Sequence, residues 1–115
     1  KECFARVTTP KYVHWDIWAG NIFVEKGKIT GIIDFERALW ADELMEVGFR
    51  TYDYSKEFFE GYGREDLNEE ELCRARWYDM YLFLLMRSEC DYRGYVHRWH
   101  YDWSGEMIEK WEALL

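Results

Sequence analysis

The sequence predicts an α+β fold that is mostly α, and two observations carry the prediction. Apolar runs at 21–25 and 29–35 flank a tight Lys26-Gly27-Lys28 turn, the mark of a β-hairpin. From residue 41 onward, apolar residues recur at helical spacing. Strands come first and helices follow, so a short hairpin region precedes a helical bundle. The length of 115 residues suits one domain, read as residues 1–115 with a strand-bearing region at 12–36 and a helical region at 41–115. Aromatics at 20% supply the large side chains that a packed interior of this size needs.

The elements are justified in chain order. Tyr12-Val13-His14-Trp15 is β-branched and aromatic and reads as a short strand, while residues 5–9 fit either a strand or the tail of a helix. Over 41–53, Leu44, Val47 and Thr51 share one face, with Met45, Phe49 and Tyr52 beside them, which predicts an amphipathic helix. Ser55 is a good cap for a short helix that Gly61 and Gly63 would stop. Asn68 followed by Glu69, Glu70 and Glu71 is a strong start for a long helix reaching about Cys90. A last helix is expected over 94–114, with Ser104-Gly105 as a candidate break.

Charge and cysteine usage exclude several classes. A formal net charge of -8 offers no basic face for nucleic acid or for anionic membrane. An acidic field favours a cationic partner, although solubility alone is the plainer reading. Cys3, Cys73 and Cys90 form no CxxC pair, which excludes zinc ribbons and thioredoxin-like motifs and fits a reduced, cytoplasmic setting. No signal-peptide pattern is visible, and the longest apolar run, residues 80–86, is far below the roughly 20 residues of a membrane span.

The chemistry lies in His14-Trp15-Asp16-Ile17-Trp18-Ala19-Gly20-Asn21, followed by Ile32-Ile33-Asp34-Phe35-Glu36. The first segment reads His-x-Asp-x-x-x-x-Asn; the second places an Asp at the end of an apolar strand, across the hairpin. Opposed hairpin residues lie close, so Asn21 and Asp34 are expected to converge while Asp16 hangs over them. Two carboxylates and an amide oxygen suit a hard cation such as Mg²⁺, which takes one or two carboxylates plus substrate phosphates. Phosphoryl transfer uses that set: a metal to neutralise charge and a further carboxylate to orient the attacking hydroxyl. The competing reading is a hairpin whose Asp and Asn residues only make turns and caps.

On these residues the chain resembles the aminoglycoside phosphotransferase and choline kinase superfamily. Residues 13–24 are similar to its catalytic loop, hydrophobic-His-Gly-Asp-x-x-x-x-Asn-Ile-hydrophobic, and Gly31-Ile32-Ile33-Asp34-Phe35-Glu36 to its metal-binding strand. Ala41-Asp42-Glu43-Leu44-Met45-Glu46-Val47-Gly48 resembles a further family segment that opens a helix, with Glu43 at its Pro and Glu46 at an Asp. Residues 58–63 are like its Phe-x-x-x-Tyr segment. The resemblance implies the carboxy-terminal lobe of a protein-kinase-like fold, with Asp16 as catalytic residue, Asn21 and Asp34 as Mg²⁺ ligands and His14 supporting the loop. It implies ATP or GTP as phosphoryl donor and a small, often cationic, hydroxylated acceptor. Trp15 stands where the family has Gly. The Gly-rich loop, the phosphate-pairing Lys and the helix Glu belong to an amino-terminal lobe not found in this sequence, which begins Lys1-Glu2-Cys3. A fragment, weak in nucleotide binding alone and prone to self-association, is therefore expected.

Other candidates are weaker. Glu36 and Asp42 are secondary acidic residues near the motif. Glu89, Asp91 and Asp102, with Glu106, could line an acidic pocket for a cationic substrate, or form a solvated helix face. His97 and His100, spaced i, i+3 on an expected helix, could bind metal, though surface histidines are the plainer reading. The aromatic cluster at 92–111 could cradle a cation or simply pack. Cys73 has no visible base partner and does not read as a nucleophile. The first reading is a small-molecule kinase. The alternatives are a non-catalytic binding or scaffolding remnant of the same fold, and an unrelated acidic helical domain, which would require the hairpin to be absent.

Overall fold

The computed structural model describes residues 2–115. It is α+β and mostly helical, with small antiparallel sheets, and it divides into two compact units, Lys1–Asp66 and Leu67–Leu115.

The first unit carries every strand found among the described residues. A 3-10 turn at Cys3–Arg6 occupies part of the segment for which strand and helix tail were both open. Strand β1, Lys11–Val13, pairs antiparallel with β4, Leu39–Ala41, with Tyr12 opposite Trp40. Strands β2, Ile22–Glu25, and β3, Lys28–Ile32, form the expected hairpin, with a register shift at Phe23/Val24. Its two-residue turn has Lys26 at φ 51° and Gly27 at φ 76°. Two left-handed residues in succession are what a tight hairpin turn requires, because that twist matches the strands.

The single helix expected over 41–53 does not form. Strand β4 ends at Ala41, and 3-10 turns follow at Glu43–Met45 and Val47–Phe49. Local side-chain bonding outcompetes the helical ladder here. Asp42 accepts from the Leu44 N–H at 3.3 Å, and Glu46 lies between the turns with extended backbone, φ -66° and ψ 149°. The apolar spacing was real, since Leu44, Met45 and Phe49 are all buried. Gly48 sits beneath the Phe58 ring, where no Cβ would fit. The Phe49 ring meets Phe58, Phe59 and Tyr62 edge-on at 5.0, 5.4 and 4.9 Å. The last three belong to α1, Lys56–Tyr62, which starts on Ser55 as cap and ends at Gly63 in the left-handed region.

The second unit is a helical pair. Helix α2, Glu69–Tyr92, opens with a complete capping box between Asn68 and Glu71, as the acid-rich start predicted. Helix α3 spans Trp99–Glu112, starting later than expected and running unbroken through Ser104-Gly105. Those two small residues serve packing. Ser104 is fully buried, and the space beside Gly105 is filled by the Arg87 guanidinium of α2, which donates to the Tyr101 carbonyl at 3.1 Å. The core of the pair is Phe83, edge-on to Trp103 at 5.5 Å and to Trp111 at 5.3 Å. Among the described residues, no helix is long and apolar enough to cross a membrane.

Candidate functional site

The loop from His14 to Asn21 leaves β1 and enters β2, so two paired strands fix its ends. Trp15 has φ 63°, left-handed backbone for a residue with a large Cβ substituent. That conformation turns the chain so that the N–H groups of His14 and Trp15 point together. Both donate to the Glu46 carboxylate, at 2.8 and 3.1 Å, and Val47 N–H donates to it at 2.9 Å. One carboxylate thus satisfies three backbone donors and ties the loop to the 3-10 turns. Trp15 itself is buried, so its ring packs into the unit and its backbone carries the turn.

His14 is buried and uses both ring nitrogens. Nδ1 accepts from the Asp16 N–H at 3.2 Å, which leaves the proton on Nε2, and Nε2 donates to the Ile33 carbonyl at 2.9 Å. Phe35 packs edge-on against the ring at 4.6 Å. His14 therefore links the loop to the end of β3.

Asp16 and Asn21 are brought together. The Asn21 amide nitrogen donates to the Asp16 carbonyl at 2.9 Å and to its Oδ2 at 3.3 Å. Those bonds fix the orientation of the buried amide, so that its Oδ1 is the atom left to accept from elsewhere. Arg37, on the 3-10 turn Phe35–Arg37, approaches the other carboxylate oxygen of Asp16 at 3.7 Å. Asp34 follows directly on the hairpin ladder, whose last bond is Ile33 N–H to the Asn21 carbonyl at 3.0 Å. It is left-handed, φ 64°, exposed, and its carboxylate makes no hydrogen bond or ion pair among the described residues.

The donor set fits a hard divalent cation. Asn21 and Asp34 stand at one end of the hairpin and offer oxygen only, and two protein oxygens leave positions for water and phosphate, which Mg²⁺ favours. Among the described residues, no group of three or more His, Cys, Asp or Glu is arranged to hold a metal ion. His97 and His100 belong to no such group. His97 lies before α3, so the helical i, i+3 spacing expected of the pair is not realised.

A family model, described as a phosphotransferase enzyme family, matches residues 3–79. The chain belongs to this phosphotransferase family. The match takes in the whole of the loop and hairpin and runs into α2, beyond the segment at 12–63 on which the resemblance rested. No curated protein and no solved structure matches the chain.

Glu36 is exposed in the 3-10 turn between Asp34 and Arg37, and Asp42 is buried as the cap of the turn after β4. Glu89 and Asp91, in the second unit, pair with Arg93 at 3.4 Å and Arg98 at 2.8 Å; Asp102 is exposed on α3. In the aromatic cluster, the faces of Tyr101 carry the chain's own guanidinium groups, Arg87 and Arg98, each 3.8 Å from the ring centroid. The hydrogen bond and charge of Asp91 raise the pKa of Arg98. In the first unit, burial and the neighbouring Glu43 raise the pKa of Tyr62, whose hydroxyl donates to Glu43 at 3.2 Å. Two residues of the site were missed in the sequence, Arg37 and the clamp role of Glu46. The signal for Glu46 was present: an acid stands at a family acidic position in the segment at 41–48.

Proposed function

We propose that this phosphotransferase family member is the catalytic lobe of a small-molecule kinase. It would move the γ-phosphoryl group of ATP or GTP to a hydroxyl of a small cationic acceptor. The observation that carries the reading is the Asp16 carboxylate, held through one oxygen by Asn21 and approached at the other by Arg37, which follows the exposed Asp34 by three residues.

The residues divide the work as follows. Asp16 accepts the hydroxyl proton of the acceptor and orients its oxygen towards the γ-phosphorus. That oxygen forms the new bond, the bond from the γ-phosphorus to the bridging oxygen breaks, and nucleoside diphosphate leaves. Asn21 and Asp34 would hold Mg²⁺, which would supply neutralisation of charge on the phosphate oxygens. His14 and Glu46 keep the loop in register with β3 and the 3-10 turns. A reducing cytoplasm, in which Cys3, Cys73 and Cys90 stay outside any disulfide, is the setting we assign. The carboxy-terminal lobe of a protein-kinase-like fold is the architecture this reading implies, with nucleotide contacts also supplied from an amino-terminal lobe.

Trp15, left-handed at the family's glycine position, favours a second reading, a non-catalytic binding or scaffolding member. One experiment divides the two. Nucleoside diphosphate release is measured with Mg²⁺ and ATP or GTP against aminoglycosides, choline and other amino alcohols, in the longest native form of the protein. Acceptor-dependent turnover that falls about 100- to 10,000-fold in a folded Asp16→Ala variant supports the kinase. A folded wild type that neither turns over nor binds Mg²⁺-nucleotide supports the scaffold.

A further inference from the structure

We infer that Arg37 is a positioning residue for the Asp16 carboxylate, an inference that rests on the phosphotransfer reading of the site. Its guanidinium lies 3.7 Å from Asp16 Oδ1, while the Asn21 amide donates to Oδ2 at 3.3 Å. The two oxygens of one carboxylate are thus approached from different directions, one by the residue just before β2 and one by the turn after β3. Held on both oxygens, the carboxylate cannot spin about its Cβ–Cγ bond without losing a partner. An acceptor hydroxyl then meets it in one orientation.

The pair is unlike an ordinary surface ion pair. The side chains of Arg37 and Asp16 are 17% and 25% exposed, so solvent screens them less than it does the Lys26–Glu25 pair, at 90% and 71%. At 3.7 Å the contact is an ion pair rather than a hydrogen bond. Arg37 is also covalently tied to Asp34 through Phe35 and Glu36, and Phe35 packs on His14. A shift of the Asp34 turn, as on binding of a phosphate-bound cation, would therefore carry Arg37 with it and adjust Asp16.

The test is a double-mutant cycle in the longest native form, with Arg37→Gln, Arg37→Lys, Asp16→Asn and Arg37→Gln/Asp16→Asn, read as kcat and KM for acceptor and nucleotide. Misplacing a catalytic group is worth up to about 100-fold, so Arg37→Gln is expected to lower kcat by about 10- to 100-fold with both KM values within about twofold. Arg37→Lys should recover part of the loss. Arg37→Gln should cost nothing further in Asp16→Asn, because it acts only through that carboxylate. An equal loss in both backgrounds, or a rise in KM at unchanged kcat, would overturn the inference. Absence of wild-type turnover on every acceptor would sink the phosphotransfer reading instead. The pairing would then be decided by ¹⁵N spectra of the arginine side chains: slowed Arg37 guanidinium rotation, released by Asp16→Asn, upholds it, and free rotation in the wild type overturns it.

Discussion

At the residue scale, Trp15 sets two effects against each other. Left-handed backbone costs an L-residue about 1–2 kcal/mol, and Gly would remove that cost. The buried indole acts in the opposite sense, because truncating a buried Trp costs about 3–5 kcal/mol. Burial wins, so restoring the family's glycine by Trp15→Gly should destabilise the protein by about 1–4 kcal/mol. The backbone contribution can be isolated by comparison with Trp15→Ala, which removes the same ring and keeps a Cβ at φ 63°. Trp15→Ala should be the less stable of the two by about 1–2 kcal/mol, since Ala is penalised at positive φ. Urea denaturation of wild type and both variants measures the order; Trp15→Ala more stable than Trp15→Gly would mean that the loop relaxes once the ring is gone. Legibility at this scale was uneven. His14, Asp16, Asn21 and Asp34 could be singled out because their types and spacing are specific. Arg37 could not, since its meeting with Asp16 depends on a turn three residues beyond β3 that no periodicity announces.

At the element scale, the failed helix at 41–53 and the loop at 14–21 are one problem. The sequence spacing that suggested an amphipathic helix correctly picked out the buried Leu44, Met45 and Phe49. What it could not reveal was the competing use of Glu46, whose carboxylate takes the N–H of its own neighbour, Val47, together with two N–H groups from a segment about thirty residues earlier. Nor did it reveal β4, a three-residue strand whose existence depends on pairing with β1. The elements that were legible, namely the hairpin, α1 and α2, are those held by local signals: a left-handed turn, a serine cap and a capping box. Glu46→Ala should therefore act on two elements at once. It removes a charged acceptor from three part-buried bonds, each worth about 1.5–3 kcal/mol, of which water recovers a portion, so a net loss of about 3 kcal/mol is expected. Glu46→Gln keeps one acceptor oxygen, enough for Trp15 and Val47 N–H, but sets its NH₂ against the His14 N–H, so it should lose nearly as much as Glu46→Ala. Amide hydrogen exchange adds the location: faster exchange at His14, Trp15 and Val47 together is the expected pattern in Glu46→Ala. Faster exchange at Val47 alone would mean that the clamp does not hold the loop.

At the scale of the whole molecule, charge decides the response to salt. The chain carries 23 acidic against 15 basic residues, and the excess is self-repelling. Opposing this are surface ion pairs that salt weakens, such as Lys56–Glu60 at 74% and 64% exposure and Lys26–Glu25 at 90% and 71%. Exposed pairs of this kind contribute about 0–1 kcal/mol each and mostly sit at the low end, whereas a net charge of -8 acts on every carboxylate at once. The pairs better shielded from salt, Arg64–Glu43 at 21% and 28% exposure and Arg74–Glu70 at 10% and 37%, lose less. Repulsion should therefore dominate. Raising NaCl from about 10 mM to 150 mM, which shortens the screening length from roughly 30 Å to 8 Å, is expected to raise Tm at pH 7. The same addition at a pH near 4.9, where the net charge vanishes, should leave Tm unchanged or lower it, because only attractive pairs remain to be screened. Calorimetric scans at the two pH values read the sign directly. A fall in Tm at pH 7 would mean that the ion pairs outweigh the acidic excess.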